Sequence, residues 1–234
     1  MVLVCTDPPF VFLKTRKTAG TSVEMVLERY CGPPERAITE ETPGLFSPFG
    51  IIGHREMKRA GARERDLSVW RQHLPAREIR KMVTPAFWDS AARITTVRNP
   101  FDRAVSLFHW LRHVAGSAPL PDFASTRAAF ADWIAQAGGL GDKPIVHVHG
   151  DFAPTHVIRF EHLAADLART CAALGLADPP PLPVTKPRAR AGEEPPTAAY
   201  FDAASTAIVR RECAWMFTAG GYDTTVPQSV PGAA

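Results

Sequence analysis

The segment Lys17-Thr18-Ala19-Gly20-Thr21-Ser22 puts an ammonium, a glycine turn and two hydroxyls into one short stretch, with Lys14 and Arg16 just ahead of it. Before it, Phe10-Val11-Phe12-Leu13 is an apolar run of strand formers. After it, Val23, Val26, Leu27 and Tyr30 recur at the helical period until Gly32-Pro33-Pro34 ends the pattern. A strand, a glycine-bearing loop and a helix in that order aim unpaired backbone N–H groups and the positive end of the helix at one small volume. That volume suits an anion such as a phosphate. The plainer reading is an ordinary helix cap by Thr18 or Thr21 beside solvated lysines. The order is not that of a GxxxxGK[ST] triphosphate loop, because Lys17 precedes Gly20.

A second group of residues is Arg98-Asn99-Pro100-Phe101-Asp102-Arg103-Ala104-Val105-Ser106, which follows the β-branched run Arg93-Ile94-Thr95-Thr96-Val97. An arginine at a strand end offers a fork of donors to a phosphate monoester, and a serine two turns into the next helix can add another. Alternatively, Arg98 pairs with Asp102 and Ser106 only packs. His109 and His113 share the Ser106 side of that helix by their three- and four-residue spacing.

These residues need a framework to bring them together. A third strand is expected at His156-Val157-Ile158-Arg159-Phe160, followed by a helix from Leu163 to Leu174, and a short strand at Gly50-Ile51-Ile52-Gly53-His54. Residues 63–81 read as helical with a break at Pro75, Phe123 to Gln136 as a surface helix, and Ala203 to Phe217 as a final helix. Seven prolines between Asp178 and Thr197 exclude regular structure over most of that stretch. Alternating strands and helices predict a single α/β domain over residues 1–223, with a central, mainly parallel sheet flanked by helices and ligands at the carboxyl ends of the strands. Residues 224–234 read as a flexible tail.

Composition narrows the function classes. The 234 residues carry a formal charge of +3, too slight for a nucleic-acid coat, so any anion site must be local. Cys5, Cys31, Cys171 and Cys213 are too scattered for a zinc knuckle or a CxxC site and read as reduced thiols. No HExxH or similar metal-ligand cluster is present. No apolar stretch is long enough to span a bilayer, and the first residues lack a signal-peptide pattern. A cytoplasmic protein without membrane or nucleic-acid partners is expected.

Taken together, Lys17 to Ser22 and Val97 to Ser106 resemble the binding elements of the sulfotransferase superfamily that uses 3'-phosphoadenosine 5'-phosphosulfate (PAPS). The wording of residues 97–106, with Arg159-Phe160-Glu161-His162-Leu163 and Gly221-Tyr222-Asp223, looks most like its carbohydrate branch, which includes the heparan-sulfate 2-O enzymes. The resemblance implies a P-loop-like strand-loop-helix in which Lys14, Arg16, Lys17, Thr18, Ala19, Gly20, Thr21 and Ser22 bind the 5'-phosphosulfate. Arg98 and Ser106 would bind the 3'-phosphate, and Lys186 or Arg188 in the proline-rich segment would contact the nucleotide. Lys17 would stabilise the leaving phosphate and His54 would act as general base, with His109, His113 or Glu24 in reserve. Arg55, Lys58 and Arg59 either meet an acidic acceptor or form a solvated face. The expected reaction moves a sulfuryl group from PAPS to a hydroxyl of a sugar or small metabolite, leaving 3'-phosphoadenosine 5'-phosphate (PAP), with no metal required. Relatives commonly have proline at the position of Arg16, and Golgi relatives carry a membrane anchor, so a bacterial-type member is implied. Alternatives are an ATP-dependent small-molecule kinase of P-loop-like type and a non-catalytic nucleotide-binding protein.

Overall fold

The computed structural model describes residues 2–54, 69–136, 140–183, 185 and 195–228. Six strands form one sheet: β1 (Leu3–Thr6), β2 (Pro9–Leu13), β3 (Leu45–Ser47), β4 (Gly50–Ile52), β5 (Ala92–Val97) and β8 (His156–Arg159), in the spatial order β3-β4-β1-β2-β5-β8. Two further strands, β6 (His147–Val148) and β7 (Asp151–Phe152), make a separate hairpin.

The sheet is mixed, which corrects the expectation of a mainly parallel one. The pairs β2–β5 and β5–β8 are parallel, whereas β1–β2, β1–β4 and β3–β4 are antiparallel. The reason is local. Only Asp7 and Pro8 separate β1 from β2, and a connection that short can only reverse the chain. Because β1 runs against both its neighbours, β4, β2, β5 and β8 all point the same way. Residues following Ile52, Leu13, Val97 and Arg159 therefore emerge at one edge of the sheet.

β2 reads as a continuous apolar run because both of its faces are covered. Phe10 and Phe12 join Leu3, Cys5 and Ile94 against Val23, Val26 and Leu27 of α1 (Gly20–Glu28) and Leu167 and Cys171 of α7 (Leu163–Ala173). Val11 and Leu13, pointing the other way, pack with Val4, Trp70, Leu74 and Trp88, and with Ile79 of α2 (Ala76–Met82). A short helix α3 (Pro85–Ser90) leads into β5.

A third cluster is helical. α4 (Pro100–Val114) is started by Asn99, whose side-chain oxygen accepts from the N–H groups of Phe101 and Asp102, with Pro100 at the first helical position. It packs on α5 (Phe123–Ala135), α8 (Ala203–Glu212) and α9 (Ala214–Gly220). The single helix expected from Ala203 to Phe217 is thus two, broken at Cys213. The one-turn α6 (Lys143–Val146) joins this side to the β6–β7 hairpin. Of the helix expected over 63–81, residues 63–68 lie outside the described residues, and helix begins only after Pro75. Among the described residues no helix is long and apolar enough to cross a membrane.

Phe101 is fully buried and meets Phe201 and Phe217 edge-on, with ring centroids 5.2 and 5.4 Å away. Truncating such a ring leaves a cavity that packed aromatic neighbours cannot fill. Phe101→Ala is expected to lower unfolding stability by about 3–5 kcal/mol, read as an earlier urea midpoint with an unchanged slope.

Candidate functional site

The loop after β2 is held in an unusual backbone form. Lys17 and Ala19 both lie in the left-handed region, at φ 61° and 59°. Each costs a side-chain-bearing residue on the order of 1–2 kcal/mol. Ala19 is the N-cap of α1 and offers no side-chain acceptor, so neither Thr18 nor Thr21 caps the helix. The N–H groups of Ala19, Gly20 and Thr21 meet no acceptor among the described residues. They form a concave set of donors at the positive end of α1. The Thr18 hydroxyl instead turns inward, 2.7 Å from Thr96 Oγ1 and 2.9 Å from Thr15 Oγ1.

Lys14 runs beneath this loop. Its Nζ donates to Glu24 Oε2 at 2.7 Å and to Thr21 Oγ1 at 3.1 Å, in an ion pair almost wholly removed from solvent. Gly20 makes the passage possible, because a Cβ there would come within 2.9 Å of Lys14 Cγ. Glu24 is therefore committed to Lys14. Lys17 is only half buried and its ammonium sits 5.8 Å from the centre of the Trp110 ring. Ser22 is bonded to Thr185 Oγ1 at 2.9 Å.

What imposes the left-handed turn is a carboxylate far away in the chain. Asp142, with no solvent exposure, accepts from the Arg16 N–H at 2.6 Å, the Arg16 guanidinium at 2.9 Å and Arg103 Nη2 at 2.7 Å. Arg103, equally buried, also donates through Nε to the Arg16 carbonyl at 2.9 Å. The N–H and the C=O of Arg16 are both pinned, so the chain enters Lys17 with its direction set. A proline at this position would have no N–H to offer Asp142. The guanidinium of Arg16 is engaged within the protein, where it supports the loop.

Arg98 reaches the same place from β5. Its guanidinium is ion-paired with Asp102, while Nη1 lies 3.3 Å from the Lys17 carbonyl and 3.4 Å from Ser106 Oγ. The pair with Asp102 thus exists, and Arg98, Ser106 and the Lys17 loop also meet. Phe160 lies under the guanidinium at 4.1 Å. Glu161, next in the chain, accepts from the Asn99 N–H at 2.8 Å and from the Tyr222 hydroxyl at 2.6 Å. Burial, then the Glu161 carboxylate, pushes the Tyr222 phenol far above its ordinary range, so it stays a donor.

Four histidines have to be placed relative to this edge. His54 follows β4, is 8% exposed, and donates its N–H to the Trp70 carbonyl at 3.1 Å; its Nε2 has no partner among the described residues. Gly53 allows that approach, since a Cβ there would lie 2.1 Å from the same carbonyl. His109 Nε2 is 2.9 Å from the Tyr200 hydroxyl, and His113 is exposed. His73, which sequence reasoning missed, places Nδ1 2.9 Å from the Lys14 carbonyl. A carbonyl can only accept, so Nδ1 carries the proton and Nε2 keeps a lone pair. The break at Pro75 was the one sign that the chain turns here.

Lys186, Arg188 and Arg190 lie outside the described residues, as do Arg55, Lys58 and Arg59. The flanks of the proline-rich segment reach both halves of the site, Thr185 through Ser22 and Thr197 through Asp102 Oδ1 at 3.4 Å. No group of three or more His, Cys, Asp or Glu able to hold a metal occurs among the described residues. No protein-family model, curated protein or solved structure matches the chain.

Two outcomes are expected. Asp142→Asn leaves two guanidinium groups without their carboxylate and is expected to cost about 3–5 kcal/mol in chemical denaturation. A loss under about 1 kcal/mol would show that the clamp is not holding the loop. The second concerns pH. Burial foremost, then the nearby Lys14 ammonium, lowers His73 from 6.5 to about 4, against the pull of its bond to the Lys14 carbonyl. Between those values the unfolded chain binds a proton that the folded chain refuses, so stability is full above about pH 6.5 and falls as pH drops towards 4. Asp166 acts in a lower window. Burial alone would raise it, but Arg159 and Arg169 outweigh that and hold it at about 2, so its contribution is lost only between 3.8 and that value. His73→Gln should flatten the upper limb of a urea-midpoint profile and leave the lower one.

Proposed function

We propose that this protein is a sulfotransferase that moves the sulfuryl group of PAPS to a hydroxyl of a sugar or small metabolite, and that the loop after β2 is its P-loop-like phosphosulfate site. The observation carrying this reading is the meeting of two cationic elements 81 residues apart, with Arg98 Nη1 at 3.3 Å from the Lys17 carbonyl. A donor with phosphates at both ends of one ribose asks for two anion sites side by side. The fit can be judged from the chain itself. The N–H groups of Ala19, Gly20 and Thr21 and the Lys17 ammonium provide one set of donors, and Arg98 with Ser106 provides the other.

When bound, PAPS supplies a sulfuryl group on a phosphate that departs readily. Lys17 and the loop N–H groups neutralise the charge gathering on that phosphate, in a place where fixed dipoles need no reorganisation. Arg98 and Ser106 hold the 3'-phosphate and so orient the nucleotide. The base that accepts the acceptor's proton is assigned to His73 Nε2, because Nδ1 is fixed on the carbonyl of Lys14, three residues from Lys17. His54, two strands away at the same edge, is the other candidate for the base.

Isothermal titration with PAP, with PAPS and with adenosine 5'-phosphosulfate, which lacks the 3'-phosphate, tests the reading. Arg98→Ala should weaken PAP and PAPS by about 1.5–3 kcal/mol per charged hydrogen bond removed, and the 5'-phosphosulfate far less. Equal weakening of all three would remove Arg98 from the 3'-phosphate. His73→Ala should keep PAP affinity and lose about 10²–10⁴-fold in turnover, followed by mass spectrometry of an extract incubated with PAPS. If His54→Ala instead shows that loss, the base is His54. PAP binding without transfer to any acceptor would favour a non-catalytic nucleotide-binding protein.

A further inference from the structure

We propose that a cleft along α2 seats the acceptor, and that this acceptor carries an acidic group, carboxylate or phosphate, set apart from the hydroxyl that is modified; the inference rests on the transferase reading above. The cleft encloses about 760 Å³ between α2 and the segment from α6 through the β6–β7 turn. Its near end is formed by Pro75 and Pro144. Pro75 is two residues from His73, whose ring meets the Lys14 carbonyl, and Pro144 is two residues from Asp142, which pins Arg16. Two of its lining residues are thus two positions from the residues that hold the Lys14–Lys17 segment.

Its wall is cationic. Arg77, Arg80 and Lys81 of α2 all line it, at spacings of three and four that bring them to one helix face. Glu78 meets Arg77 at 2.9 Å and Lys81 at 3.5 Å. Arg80 has no ion-pair partner among the described residues; an adjoining cavity of about 260 Å³ that it also lines carries Asp89 and Asp151, whereas the lining of the larger cleft has no Asp or Glu. A guanidinium on that carboxylate-free wall is a place for an anion of the ligand. The prolines and Val148 provide an apolar floor along which a carbon skeleton can lie. From Ala76 to Arg80 the helix rises by about 6 Å, so hydroxyl and acid sit at separate points of an extended acceptor.

Three probes of equal length distinguish the possibilities: maltotetraose, tetragalacturonate and a singly phosphorylated maltotetraose, each titrated into the whole protein saturated with PAP. The charged probes should bind at least tenfold more tightly than maltotetraose, and the better of the two identifies the acid. Arg80→Glu should remove at least that tenfold preference while PAP affinity stays unchanged. Equal affinity for all three, no binding of any, or a preference that survives Arg80→Glu would overturn the inference. The PAP titration that precedes each experiment reports on the transferase reading separately, since its failure would show before any probe is added.

Discussion

The carboxylate of Asp142 is the interaction on which the arrangement depends. It is wholly buried and answers two guanidinium groups at once, while also taking the backbone N–H of Arg16. Burying charge is expensive, and a pair so placed adds little net stability compared with a packed apolar core. Its effect is positional. Three parts of the chain, the loop after β2, the first turn of α4 and the entry to α6, are fixed to one another through two carboxylate oxygens. The left-handed turn at Lys17 can persist because both peptide groups of Arg16 are already spoken for. Two cations against one carboxylate also leave excess positive charge beside Lys17, which favours an anion there.

The Arg98 end is arranged differently. Asp102 neutralises the guanidinium, Phe160 supports its plane and Glu161 holds the adjacent Asn99 N–H, so the side chain is oriented before any ligand arrives. A phosphate would add to this pair through Nη1 and the Ser106 hydroxyl, without first having to order a free arginine. The saved side-chain entropy is on the order of 2 kcal/mol. Tyr222, protonated throughout the ordinary pH range, ties the turn after α9 to the same Glu161. The turn after α9 thus braces the start of α4 through a single carboxylate.

Much of this was legible in the residues themselves, for physical reasons. β2, β5 and β8 are short runs of strand formers bounded by polar loops, and α1, α4 and α7 carry clear apolar stripes, so the Lys17 and Arg98 segments could be placed at strand ends. β1 escaped because four residues at a chain start carry no usable period, and without it the sheet reads as parallel. Arg103 and Asp142 escaped for another reason: 39 residues separate them, and a long-range ion pair leaves no local trace. His73 sits in a stretch whose composition reads as helix until Pro75, and only tertiary contact with the Lys14 carbonyl gives it meaning. The departure at Arg16 was visible, but its reason became visible only with Asp142 in place.

The reversal of β1 also shapes the site. Were β2 and β4 adjacent and parallel, the loops leaving them would crowd one another at the site edge. Because β1 runs between them in the opposite sense, its first residues rather than its last stand at that edge, where the Val2 carbonyl accepts the Gly53 N–H at 2.9 Å. The ends of β2 and β4 are left two strand spacings apart, roughly 10 Å. The loop after β2 lies on one side of that gap and His54 on the other, the first joined to His73 through the Lys14 carbonyl and the second to Trp70 through its backbone N–H. A mixed sheet thus does for this protein what a reversal of strand order does in doubly wound folds: it sets apart the segments that leave the carboxyl ends of neighbouring parallel-pointing strands. The residues with chemistry to offer stand at that edge because strand polarity leaves them nowhere else to emerge.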